Sequence, residues 1–213
     1  NIKIFSTPFD ETAVDFLEKL RCPIYKVASF EMTDLPLIKK IAKTKKPIII
    51  STGMASMNEI KEAIKTAKEN GCKDIVLLHC ISSYPTPLSD ANIFAIKELK
   101  KHFDVLIGLS DHTLGDISSI VATSLGAVVI EKHFTLSRLE GGVDSSFSLE
   151  PKEMKNLVNN TKLAHSTIQT KSLIRSSLEN KNIIFRRSLY FVSDIEVGQK
   201  IKKTHVRRIR PGF

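Results

Sequence analysis

A chain of 213 residues, 42% hydrophobic and 26% charged, has the composition of an ordinary globular protein, with room for one large domain or one domain plus a small one. It has no apolar run of about 18 residues, which excludes a membrane-spanning helix, and its three scattered cysteines (Cys22, Cys72, Cys80) show no CxxC spacing, which argues against a disulfide framework or zinc knuckle and suits a reducing cytoplasm. The net charge of +9 comes from lysines spread along predicted helices, as in "IKKIAKTKK" and "KELKKH", without interleaved aromatics, so it reads as solvated surface and not as a nucleic-acid interface.

The first apolar run, "IKIF" (2–5), reads as a strand. "DETAVDFLEKL" follows, with Ala13, Phe16, Leu17 and Leu20 on one helical stripe. A second strand, "IYKVA" (24–28), leads to "TDLPLIKKIAK", with Asp34 as N-cap and Pro36 in the first turn. The third strand, "PIII" (47–50), precedes "SMNEIKEAIKTAKENG", where Ser56 and Glu59 spell a capping box and Gly71 a stop. "DIVLLH" (74–79), "DVLIGL" (104–109) and "AVVIE" (127–131) complete six strands, with "DANIFAIKELKKH" and "DISSIVATSLG" as the helices between them. These runs lack polar alternation, as parallel strands buried on both faces do.

Alternating strands and helices give either an open doubly wound sheet or a (β/α)8 barrel. No GxGxxG follows any strand, which weakens the dinucleotide-binding alternative. Polar residues instead gather at the C-terminal ends of the strands, which in a barrel converge on one mouth. The expectation is therefore a partial (β/α)8 TIM barrel with six of eight β-α units visible. Its first two units are expected to be missing, and both chain ends read as cut. Residues 1–170 form this barrel domain and 171–185 a polar linker. Residues 186–213 are a strand–turn–strand piece, with Gly198 in the turn, too small to hold a core alone.

Two strands finish alike: "GLSDHT" carries His112 and "VVIEKHFT" carries His133. Adjacent parallel strands lie about 4.8 Å apart, so two imidazoles at their ends can reach one ion. With Asp111 and Glu131 nearby, the donor set is mixed N/O. It favours Mn²⁺, Fe²⁺, Co²⁺ or Zn²⁺ over Ca²⁺ and leaves positions open for water and substrate. Hydroxyls at other strand ends suit a phosphate or carboxylate, and "STGM" with Gly53 lets the backbone approach an oxyanion. Ser29 lies three residues beyond Lys26, opposite in phase if the strand continues, so the loop must turn it inward.

The ordered set "FSTPFD", "YKVAS", "STGMAS", "LHCISSYPTP", "GLSDHT" and "EKHFT" resembles the sialic-acid synthase family over nearly the whole chain. "GGVDSSFSLE" (141–150) and "RRSLYFVSDIEVGQ" resemble the family's pseudaminic acid synthase branch. The resemblance implies metal-dependent condensation of phosphoenolpyruvate with 2,4-diacetamido-2,4,6-trideoxy-L-altrose, giving a nine-carbon 2-keto sugar acid and phosphate by C–O cleavage. It implies that Thr7, Lys26, Ser29, Ser51 and Ser110 hold phosphoenolpyruvate, and that His112 and His133 bind the metal, usually Mn²⁺. Glu131 and Lys26 join the histidines in the catalytic set. Tyr84, Ser82 and Asp144 are implied sugar contacts. Ser82 stands where neuraminate enzymes carry an asparagine, a departure that weakens a neuraminate assignment. The tail resembles the start of the family's SAF (antifreeze-like) domain, which swaps onto a partner subunit of a homodimer and delivers Arg210. Alternatives stay open: N-acetylneuraminate or legionaminate synthesis, a metal-dependent aldolase, a Schiff-base role for Lys26, or an inactive fragment that binds sugar or pairs with a homologue.

Overall fold

Five of the six expected strands pair into one parallel sheet. The computed structural model describes residues 2–169 and 174–212. The sheet runs β1 (Tyr25–Val27), β2 (Ile48–Ser51), β3 (Ile75–Cys80), β4 (Leu106–Asp111), β5 (Ile130–Lys132), in sequence order. It curls into a half-barrel. Residues 2–5 are the exception to the sequence reading: they form no strand, and only Ser6 makes a parallel bridge, to Tyr25. One backbone hydrogen bond, Lys26 N–H to the Ser6 carbonyl, is too little to order the run, and Ile2 and Ile4 remain exposed.

Period-two alternation gives each strand two jobs. Tyr25, Val27, Ile48, Ile50, Ile75, Leu77, Ile107 and Leu109 face outward into a core shared with the helices. That core takes Val14 from α1 (Glu11–Lys19) and Ile38 and Ile41 from α2 (Leu35–Ala42). It takes Ile60, Ala63 and Ile64 from α3 (Met57–Glu69), Ile96 and Leu99 from α4 (Ala95–His102), and Ala122 from α5 (Ile117–Ser124). The opposite phase (26, 51, 80, 110, 131) faces the concave side. A last helix, α6 (Pro151–Thr167), packs on α5.

Local signals set the helix ends. Asp34 caps α2 by accepting the Leu37 N–H, and Pro36 sits in its first turn. Ser56 and Glu59 form the reciprocal capping box of α3, and Gly71 stops it at φ +103°. Such caps contribute about 1 kcal/mol each. Gly108 has a different reason. A Cβ there would lie 2.4 Å from the Val129 carbonyl oxygen and 2.6 Å from Leu78, so β4 and its neighbours close only around a bare backbone.

The chain divides into two compact units, Asn1–Gln169 and Thr170–Phe213. In the second, α7 (Ser177–Lys181) and a 3₁₀ turn (Asn182–Phe185) occupy part of the stretch read as a linker, of which residues 171–173 lie outside the described residues. The antiparallel pair β6 (Ser188–Phe191) and β7 (Val206–Ile209) follows, with Gly198 at φ +89° between them. Among the described residues, no helix is long and apolar enough to cross a membrane.

Candidate active site

The concave mouth holds a cavity of about 350 Å³ lined by Thr7, Lys26, Ala28, Ser29, Ser51, Cys80, Tyr84, Ser110, His112, Glu131, Lys132 and His133. Nine residues singled out from the sequence meet there: Thr7, Lys26, Ser29, Ser51, Tyr84, Ser110, His112, Glu131 and His133. A larger cavity, about 860 Å³, opens between β5 and α6, but its walls are mostly apolar, including Ile49, Leu78, Val128 and Leu157. The polar and titratable side chains gather in the smaller one.

One half of the mouth gathers an ammonium and three hydroxyls, donors of the kind that suit an anion. Lys26 is buried, and its Nζ donates to Ser51 Oγ at 2.7 Å and to the Val27 carbonyl at 3.1 Å. Glu131 Oε1 lies 3.7 Å from the same ammonium and accepts from Ser110 Oγ at 2.7 Å. Burial pushes the Lys26 pKa down, against the opposing pull of Glu131. β1 ends at Val27, and a 3₁₀ turn begins at Ser29, which solves the phase problem: the turn swings Ser29 into the mouth. The Gly53 N–H donates to Ser29 Oγ at 3.1 Å, and Ser29 donates to Cys80 Sγ at 3.4 Å.

The other half holds the histidines. Their ring centroids lie 5.3 Å apart. His112 Nδ1–H donates to the Ile81 carbonyl at 2.8 Å, so Nε2 keeps the lone pair. Cys80 Sγ lies farther off, 3.9 Å from Nδ1. Burial opposes charge on His112, but Cys80 and the Ile81 carbonyl outweigh it and raise its pKa. Burial also opposes the Cys80 thiolate, and hydrogen bonds from His112 and Ser29 overcome that and lower its pKa. His133 is pushed down by burial and then by His112. Asp144 Oδ2 stands 3.6 Å from His133 Nδ1. With Nδ1 of each ring facing an outer partner, the two Nε2 nitrogens, when unprotonated, suit a borderline divalent cation with the remaining positions open. Among the described residues no group of three His, Cys, Asp or Glu side chains could ligate one ion.

Asp111 is a correction to the sequence reading. It does not join the donor set, because both its oxygens are engaged elsewhere: Oδ1 by the Thr113 amide and hydroxyl, Oδ2 by Ser119 and Lys132. Strand alternation explains this, since Asp111 points away from the mouth when Ser110 and His112 point in.

Two loops complete the rim. The Thr86 N–H donates to the His112 carbonyl at 2.9 Å, which seats Tyr84 with its ring 4.2 Å from the His112 ring. The Leu149 N–H donates to the His133 carbonyl at 2.9 Å, which seats Phe147 5.1 Å from the His133 ring. Burial raises the Tyr84 pKa. Phe147, Cys80 and Glu31 were not marked as site residues from sequence. Among the described residues Glu31 Oε2 is buried with no hydrogen-bond partner, and its charge favours the ammonium of Lys26. Its position two residues after Ser29 at a strand end was the available signal. Ser82 does not line the cavity, but its Oγ is buried with no partner among the described residues, and a Cβ on Gly53 would come within 2.3 Å of it. Asp144 also lies outside the lining, beside His133. Arg210 belongs to the second unit, where it lines a cleft with Asn182, Phe185 and Arg186.

Over residues 1–172 the chain matches the NeuB family. It is 40% identical to the pseudaminic acid synthase of Helicobacter pylori, over 100% of this chain and 63% of that protein. It is 44% identical to the N,N'-diacetyllegionaminic acid synthase of Campylobacter jejuni, over 99% of this chain and 64% of that protein. The crystal structure of the N-acetylneuraminic acid synthetase of Leptospira borgpetersenii, solved with citrate, superposes with a TM-score of 0.82 at 36% identity, over 86% of this chain and 64% of that one. The chain thus spans 63% and 64% of the length of the two sequence relatives.

Proposed function

We propose, on the premise that this chain belongs to the NeuB family, that it acts as a sialic-acid-type synthase, condensing phosphoenolpyruvate with an N-acetylated amino sugar to give a nine-carbon 2-keto sugar acid and phosphate. The observation that carries the reading is the meeting of Lys26, Ser29, Ser51 and Ser110 with His112 and His133 in one cavity. An ammonium and three hydroxyls suit the phosphate and carboxylate of one substrate, and their charge stabilisation persists as phosphate leaves. A divalent ion, Mn²⁺ by preference, held by His112 and His133 would supply Lewis acidity toward the sugar aldehyde.

The chain's own groups divide the remaining work. Lys26 and Ser51 hold the anion against the β1–β2 strand ends. Ser110 and Glu131 sit between that anion and the histidines, where Glu131 can take or return a proton. Glu31, which does not line the cavity, adds its charge to that of Glu131 in favouring the Lys26 ammonium. Tyr84 and Phe147 wall the sugar side. Arg210 would reach the sugar of a partner subunit in a domain-swapped homodimer, with the second unit as the start of a SAF domain.

The altrose-derived sugar is the preferred partner because of "GGVDSSFSLE", the segment that carries Asp144 and Phe147. The legionaminate precursor is the second reading, favoured by the 44% identity to a legionaminic acid synthase. The test is phosphate release from phosphoenolpyruvate by the full-length protein with Mn²⁺. The altrose derivative, the legionaminate precursor and N-acetylmannosamine are offered separately, with a chelator control and His112→Ala. Chelator-sensitive release with the altrose derivative alone is expected. Release with another sugar replaces the substrate assignment, and no release with any of them overturns the synthase reading.

A further inference from the structure

Directly behind the two histidines lies an ion pair almost closed off from solvent, Lys132 bordering the mouth and Asp111 turned away from it. Asp111 and Lys132 are register partners on β4 and β5, each immediately preceding a histidine. Asp111 Oδ2 lies 2.9 Å from Lys132 Nζ, with side chains 1% and 3% exposed. Lys132 Nζ also donates to the Thr113 carbonyl. Asp111 accepts from the Thr113 amide at 2.9 Å and from Ser119 Oγ at 2.7 Å. The residues on both sides of His112 are therefore tied to the residue preceding His133.

We propose that the Asp111–Lys132 pair is a clamp that sets the separation of His112 and His133, and so the affinity of the metal site they form. The inference rests on the reading of these histidines as metal ligands. Its physical warrant is the cost of the arrangement. Burying two ions is seldom more stabilising than burying two apolar groups of the same size, so a buried pair is poorly explained by stability alone. Both Asp111 oxygens are doubly engaged, and the partners of the pair lie on the two histidine-bearing segments and the helix behind them. A two-ligand site has little redundancy, and small displacements of either imidazole change its affinity directly.

The test is the dissociation constant for Mn²⁺, read by electron paramagnetic resonance of free ion, alongside thermal melting of the metal-free protein. The proteins compared are the parent, His112→Ala and the neutral double variant Asp111→Asn/Lys132→Met. The parent is expected to bind and His112→Ala to lose binding. The double variant should melt within a few degrees of the parent, because no lone charge is left buried, yet bind Mn²⁺ about 10-fold or more weakly, the usual scale for outer-sphere changes at metal sites. Should it fail to fold, Ser119→Ala removes one Asp111 hydrogen bond and carries the test, with an expected loss of about 3-fold, smaller than the roughly 10- to 100-fold of losing an outer partner outright because the pair itself remains. A parent that binds no Mn²⁺ overturns both the ligand reading and the clamp. A parent that binds, with unchanged affinity in the folded variant, overturns the clamp alone.

Discussion

Lys26 and Ser51 reach each other across β1 and β2, with the buried ammonium donating to the hydroxyl at 2.7 Å. On the proposed reading they contribute unequally to phosphoenolpyruvate binding, because one carries charge and the other a dipole. Lys26→Met is expected to weaken phosphoenolpyruvate binding by about 100-fold and Ser51→Ala by about 10-fold, following the relative strength of charged and neutral hydrogen bonds. Calorimetric titration checks this. Equal losses, or none, would remove Lys26 as the anion's main partner.

Gly53 and Gly108 are both needed for close approach, with different consequences. A Cβ on Gly53 would lie 2.3 Å from Ser82 Oγ and 2.7 Å from Ser29 Oγ, two side-chain ends that can rotate. A Cβ on Gly108 would lie 2.4 Å from a backbone oxygen that cannot. Gly53→Ala should cost about 1 kcal/mol of stability while raising the KM for phosphoenolpyruvate, and Gly108→Ala about 3 kcal/mol, the range for overpacking. Urea unfolding beside steady-state kinetics separates them. A Gly53→Ala enzyme with unaltered KM would show that Ser29 does not touch the substrate.

Stability should fall as the solution is acidified from about pH 7.5 to 5.5, and His79 is one source. Burial lowers the His79 pKa below 6.5, and its Nε2 bonds the Ala91 carbonyl at 2.9 Å. The unfolded chain therefore takes the proton first. The contribution is complete above 6.5 and is lost as pH drops toward the folded value. His133 acts with the same sign and His112, whose pKa is raised, with the opposite one. In denaturant titrations at both pH values, His79→Leu should show a smaller acid-induced loss than the parent. An equal loss would assign the effect elsewhere.

The rim residues should affect the sugar and spare the anion. Tyr84→Ala or Phe147→Ala is expected to raise the sugar KM by about 10-fold, the scale for truncating a packed aromatic contact, with phosphoenolpyruvate affinity unchanged. Parallel loss of both affinities would place these rings in the anion site instead.

Most of the half-barrel was legible because parallel strands buried on both faces advertise themselves as apolar runs, and helix caps use few residue types. "IKIF" looked the same as the other runs, yet pairing depends on what lies beside a strand, which no local pattern records. The site was legible where chemistry and strand phase agreed, as for Ser110 and His112. It was misread at Asp111, whose identity suggested a ligand while its odd phase sent it to Ser119 and Lys132. Phe147 was hidden because an aromatic in a loop carries no periodic signal. The Leu149–His133 bond and the Asp144 and Phe147 contacts with His133 show that this loop returns to the mouth.

That bond and its counterpart, Thr86 to His112, separate two kinds of heritable change. Lys26, Ser51 and Ser110 are sheet residues, held in ladders that also define the core. Tyr84, Asp144 and Phe147 ride on loops fastened to the sheet through main-chain groups, which are indifferent to side-chain identity. On the synthase reading, a lineage can therefore rewrite the loops and acquire a taste for a different sugar, one substitution at a time. No intermediate along that route has to give up the ladders or the core.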